Sequence, residues 1–170
     1  MPTNGDAFGS GWAPGDRLSL MTIFANIEEL RGAVGSELGP TGWRTINQEM
    51  INGFAEATGD HQWIHVDVEA AKAGPFGAPI AHGYLTMSLC APFLAELATV
   101  QGVSMGINYG VNKARFITPV RAGSQVRATG VVQQVTDVPG GVQAVVAITI
   151  DIEGEVKPAA VVETVSRYLV

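Results

Sequence analysis

The sequence predicts an α+β fold in which helical elements come first and an antiparallel sheet then curls around one buried helix. Three observations carry this. Residues 27–73 hold short helix-period patterns with capping residues. The run "YLTMSLCAPFLAELATV", 84–100, is apolar nearly all round, with Glu96 its single charge. After Gln101 the texture changes to period two and stays so to the C-terminus. A helix that is apolar on every side needs a layer wrapped around it, and a curved sheet supplies one.

The elements follow in order. "MPTNGDAFGSGWAPGDRLSL" is rich in Gly, Pro, Ser and Asn, so residues 1–20 are expected to form a flexible N-terminal extension. Residues 21–170 form the domain, and Met21 is a candidate alternative start. Asn26 caps a short helix from about Ile27 to Val34, ended by Gly35, Gly39 and Pro40. "GWRTI" is a short extended piece. Asn47 caps a second helix, "QEMINGFAEAT", with Met50, Ile51, Phe54 and Ala57 or Thr58 on one face. Gly59 stands just past its end, so Asp60 falls in a loop. Asp67 caps a small helix, "VEAAKAG", and a Gly/Pro-rich link leads to the apolar run. That run is shorter than the roughly 20 residues a membrane span needs, and it holds Pro92 and Glu96, so it reads as a buried helix. Four strands follow in a meander, with "PGG" at 139–141 and "EGE" at 153–155 as hairpin turns.

Composition narrows the function. A chain of 170 residues fits one domain, with 46% apolar and 15% charged residues, which excludes disorder for most of its length. An apolar surplus on a small domain points to surface buried against a partner. A formal charge of −6 argues against nucleic acid. The single cysteine, Cys90, rules out an intrachain disulfide and an all-cysteine metal site, and its apolar setting reads as buried and inert. No basic segment followed by an apolar stretch opens the chain, so no signal peptide is expected and the cytoplasm is the default location.

Candidate chemistry concentrates in "GDHQWIHVD", 59–67, which holds two of the three histidines. Asp60 and His65 are five apart. On a helix they would point about 140° apart, but in a turning loop they can converge on one water as an acid–base pair. From the residues alone a second view stands equally: Asp60 as a turn residue and His65 as a partly buried polar one. "AHGYL", 81–85, places Gly83 at the head of the buried helix, where free N–H groups and a bare Cα suit an oxyanion, with His82 beside it. Gly83 could equally just ease a turn. His61 and His65 have the H-x-x-x-H spacing of a zinc site, but Gln62 replaces the Glu of a zinc protease and Gly59 argues against a helix, so no metal is expected. Ser88 and Cys90 lie mid-helix without an evident base.

These residues together resemble the MaoC-like dehydratases, also called (R)-specific enoyl-CoA hydratases. The resemblance rests on Phe54, Thr58-Gly59-Asp60, Ile64-His65-Val66-Asp67, Ala70, Pro79-Ile80-Ala81-His82-Gly83, the apolar helix and "INYGVNKARFITPVRAGSQVR", 107–127. It spans about residues 22–170, and "GDHQWIH" with "GPFGAPIAHGYL" is similar to the nodulation-protein-N-like members. It implies a hot-dog fold, a curved antiparallel sheet around a long central helix, usually in a homodimer with sites near the subunit interface. It also implies reversible hydration of a trans-2-enoyl thioester to the (R)-3-hydroxyacyl thioester, on coenzyme A or acyl carrier protein. Asp60 and His65 would activate water, and the Gly83 N–H would hold the thioester oxygen, with His82 and Gln62 beside the substrate. No cofactor beyond the thioester carrier is implied.

The chain departs from the family pattern where Gln62 replaces Asn and Trp63 replaces Pro, which bears on substrate size. Lys113, Arg115, Arg121 and Arg127 are candidates for the carrier's phosphates. Two rivals remain at this stage: a hot-dog thioesterase, in which water attacks the carbonyl, and a non-catalytic acyl-thioester binding subunit.

Overall fold

The computed structural model describes residues 21–170; the extension expected over residues 1–20 lies outside them. In chain order the elements are β1 (Thr22–Phe24), α1 (Ile27–Gly32), β2 (Glu37–Leu38), β3 (Arg44–Thr45), α2 (Gln48–Thr58), α3 (Trp63–Val66), α4 (Val68–Ala73), α5 (Gly83–Ser88) and α6 (Cys90–Leu97). Then come β4 (Ala98–Val100), β5 (Met105–Phe116), β6 (Gln125–Val138), β7 (Gly141–Ile152) and β8 (Ala160–Leu169). The expected caps form. The Asn26 side chain accepts from the N–H groups of Glu28 and Glu29, Asn47 from Met50, and Asp67 from Ala70.

β6, β7 and β8 form the expected meander, and Pro139–Gly140 joins β6 to β7 with Gly140 at φ 80°. β5 does not sit beside β6. The sheet order is β2-β6-β7-β8-β5, so the first long strand occupies the far edge and, among the described residues, pairs only with β8. Residues 117–124 make the crossing, held by backbone bonds from Ile117 to Ala159 and between Ala122 and Pro79. Period-two patterning marks a strand but carries no information about its neighbour.

The inner sheet face and the central helix make the core. Phe93 and Leu97 from α6 pack with Val126, Val132, Val142, Ile148, Ile150 and Val162, all essentially inaccessible to water. Burial of each large side chain contributes about 1.5–3 kcal/mol.

The central helix differs from expectation in three ways. It is broken at Leu89, whose N–H reaches back only three residues, to Thr86. Pro92 has no N–H to offer the Ser88 carbonyl, and the Ser88 hydroxyl bonds to Leu85 O, so the turn before the proline tightens. The last three residues, Ala98–Val100, leave the helix and pair in parallel with β1. Nor is the helix covered all round: Tyr84, Ser88, Ala91 and Ala95 form an exposed stripe along it. No helix among the described residues is long and apolar enough to cross a membrane.

Candidate functional site

Asp60 and His65 meet because three short elements fold back on one another. α2 ends at Gly59, which takes φ 78° and turns the chain. Asp60 follows at the surface, and its carboxylate makes one long contact, 3.4 Å from the Gln62 N–H. His65 is expected in an irregular loop but lies in the helical turn α3, and it is buried. Two bonds fix that turn: Gln48 Nε2 donates to the His65 carbonyl at 2.7 Å, and the Ile80 N–H to Ile64 O at 3.0 Å.

Ile80 also sets the chemistry of the imidazole. Its carbonyl lies 2.6 Å from His65 Nδ1. A carbonyl only accepts, so Nδ1 carries a proton, and in the neutral ring Nε2 holds the lone pair. His65 is therefore presented as a base in one orientation. A carboxylate oxygen of Asp60 and one ring nitrogen each from His65 and His82 lie within 4.8 Å of one another.

His82, which the resemblance places beside the substrate, is only 3% exposed, and its Nε2 donates to the Asp60 backbone carbonyl at 2.9 Å. Its ring stacks on His65 with centroids 3.8 Å apart and planes 25° apart, and the Phe54 ring tilts against it at 5.0 Å. Gly83 opens α5, where its N–H has no carbonyl one turn back to bond. A Cβ at Gly83 would fall 2.9 Å from the Phe116 ring, so a side chain there would push that ring aside. Gln62 is exposed at the head of α3, and its side chain caps nothing. Trp63 lies against Gly74, where an added Cβ would meet its ring at 2.9 Å.

His61 stands apart from the group. It is exposed and pairs with Glu56 at 2.9 Å, and that bond raises its pKa above the usual value. Among the described residues, Asp60, His65 and His82 bring metal-ligating atoms together, but their shape is poor for chelation. An imidazole lone pair lies in its ring plane, so two rings stacked face to face do not aim at one ion.

A cavity of about 600 Å³ opens between the exposed stripe of the central helix and strands β5 and β8. Its walls include Met87, Ala91, Leu94, Ala95, Val103, Ile107, Val111, Val162 and Tyr168. Asp60, His65 and Gly83 do not line it; the nearest wall in sequence is Met87, one helical turn beyond Gly83. Cys90 also lines it, and burial pushes its thiol up to about 12. Of the four basic candidates, Arg121 donates to Phe76 O and Arg127 lies over the Trp43 ring. Lys113 and Arg115 stay exposed two residues apart on β5. Gln48 and the Ile80 carbonyl were not legible as site groups, because nothing in their spacing ties them to His65.

The family model of the MaoC like domain matches residues 29–153. The chain belongs to the MaoC-like family. This MaoC-like chain is 50% identical over 150 residues to 3-hydroxyacyl-thioester dehydratase Z of Mycobacterium tuberculosis, covering 88% of this chain and 99% of that one. It is 42% identical over 137 residues to nodulation protein N of Rhizobium meliloti, covering 79% and 85%. Among solved structures, the R-hydratase PhaJ1 from Pseudomonas aeruginosa superposes with a TM-score of 0.66 at 23% identity, covering 80% of this chain and 81% of that one. The MaoC-like chain thus has the hot-dog fold and is a dehydratase, a hydro-lyase.

Proposed function

We propose that this MaoC-like enzyme hydrates trans-2-enoyl thioesters reversibly to (R)-3-hydroxyacyl thioesters, with Asp60 and His65 acting on one water. One observation carries the reading: the bond from His65 Nδ1–H to Ile80 O fixes the orientation of the ring, and one nitrogen of that ring lies within 4.8 Å of an Asp60 carboxylate oxygen. In the forward direction His65 Nε2 takes a proton from the water as its oxygen bonds to the β-carbon. Electron density moves from the double bond to the thioester oxygen. The Gly83 N–H donates to that oxygen as the charge develops. A proton then returns from the pair to the α-carbon, so one water is added and no redox change occurs. The 50% identity to a protein named a 3-hydroxyacyl-thioester dehydratase supports this substrate class.

The reading includes a homodimer paired through β5. That strand is a 12-residue edge, exposed on both faces, and carries Met105, Ile107, Tyr109 and Val111 to solvent. Long apolar edges are normally paired or covered. A second copy aligned along β5 would also roof the cavity, because Ile107 and Val111 form one of its walls. The roofed cavity suits an acyl chain, and Lys113 and Arg115 suit carrier phosphates.

Incubation with crotonyl-CoA tests the reaction by following enoyl absorbance and free thiol together. Loss of absorbance without thiol release supports hydration. Thiol release would make the protein a thioesterase, and no change with short and long enoyl chains alike would leave a binding subunit. Light scattering should give about twice the 17.8 kDa chain mass; an active monomer, or activity only with a different chain, would overturn the homodimer.

A further inference from the structure

We infer that His82 is a positioning residue: a single buried ring that sets the Asp60 carboxylate and the His65 imidazole against each other and against the start of the central helix. This rests on the Asp60–His65 reading and goes beyond it.

His82 touches all three parts of the site. Its Nε2–H donates to Asp60 O at 2.9 Å. Its face lies on the His65 ring at 3.8 Å. Its own carbonyl accepts from the Thr86 N–H at 3.0 Å and Thr86 Oγ1 at 3.3 Å, which anchors the first turn of α5 immediately after Gly83. The tether matters most at Asp60. That residue is exposed, follows a glycine in the left-handed region, and its carboxylate has only the 3.4 Å contact to the Gln62 N–H. Held at its carbonyl, the peptide after Asp60 cannot rotate freely, which restrains the backbone from which the side chain projects.

The ring is not placed to act on substrate itself. It is 3% exposed, and Nε2–H is committed to a carbonyl. The tautomer follows from that bond, so Nδ1 is a bare acceptor, and it is buried with no partner among the described protein atoms. No exposed edge of the ring is left to carry a proton to or from solvent. What the ring offers is rigidity, and displacement of a reacting group by about 1 Å costs on the order of 10²-fold in rate.

The test uses the full-length enzyme with an enoyl thioester that it turns over. His82→Phe keeps the stack but removes the N–H; His82→Gln keeps a donor for Asp60 O but removes the ring. For His82→Phe we expect kcat to fall roughly 10–10²-fold with KM within about threefold. His82→Gln should recover part of that loss. Should the phenylalanine variant not fold, His82→Leu, which also lacks the N–H, takes its place in both backgrounds against His82→Gln. The decisive arm places His82→Phe in an Asp60→Asn background. A residue that acts through Asp60 has little left to lose there, whereas a merely structural lesion lowers the residual rate by the same factor as in the native enzyme. An unchanged kcat, a rise in KM alone, or equal losses in both backgrounds would each overturn the inference. Should Asp60→Asn itself keep the native rate, the acid–base reading fails first and the positioning role falls with it, so the two failures are distinguishable.

Discussion

Replacing Asp60 by Asn and His65 by Gln should separate catalysis from stability, because the two residues are held so differently. Both substitutions remove a group of the proposed pair, so each should lower the hydration rate by on the order of 10²–10⁴-fold. That corresponds to about 2.7–5.5 kcal/mol of lost transition-state stabilisation. Stability should diverge. The Asp60 carboxylate is at the surface with one 3.4 Å contact, and an amide can keep it, so Asp60→Asn should change stability by no more than about 0.5 kcal/mol. His65 is buried, bonded to Ile80 O at 2.6 Å and stacked on His82. Glutamine keeps some donor capacity but cannot reproduce both contacts, so a cost of about 1–3 kcal/mol is expected. For a chain of this size that is a Tm drop of roughly 2–12 °C, against about 2 °C or less for Asp60→Asn. Rates come from enoyl absorbance at saturating substrate, and Tm from calorimetry at matched protein concentration. The double variant should be little slower than the poorer single, since parts of one unit do not add. A double variant that loses the product of the two single factors would refute the shared water. Near-native rates in two folded single variants would refute the assignment of the pair.

Three further outcomes follow from the same geometry. Prolonged chelation should leave the hydration rate unchanged, because the stacked rings of His65 and His82 do not converge on an ion; stoichiometric zinc by elemental analysis, with activity lost on its removal, would contradict this. Cys90 should resist alkylation in the native enzyme: a thiol moved from 9.0 to about 12 holds on the order of 10³-fold less thiolate at a given pH, and the rate of iodoacetamide labelling measures it. His61 should titrate above the usual histidine value, and Glu56→Gln should bring it back down in a proton NMR titration. Since its pKa is raised on folding, any stabilisation from that exposed pair is present below about pH 6.5 and fades as pH rises through the raised value, and His61→Ala should leave the rate near native.

What the sequence determined by itself is what local physics controls. Asn26, Asn47 and Asp67 cap helices because a short oxygen-bearing side chain just before an amphipathic run has few better partners than the free N–H groups of that helix. Gly59 ends α2 because a left-handed residue is needed there, and so Asp60 was placed correctly in the turn. The change from helical period to period two divided the chain into its helical and sheet halves, and the combined motifs around Asp60, His65 and Gly83 named the family before any fold was in view. Tertiary structure decided what depends on residues distant in sequence. Whether the apolar run is covered all round depends on where the sheet stops, and it stops at β5, leaving Tyr84, Ser88, Ala91 and Ala95 outside. The crossing of β5 to the far side of β8 is a matter of long-range pairing that alternation cannot encode. The tautomer of His65 rests on a carbonyl fifteen residues away, and the place of His82 on one twenty-two residues away. A hydrogen bond from a ring nitrogen to a backbone oxygen leaves no mark on the identity of the residue that accepts it, since every residue carries the same carbonyl.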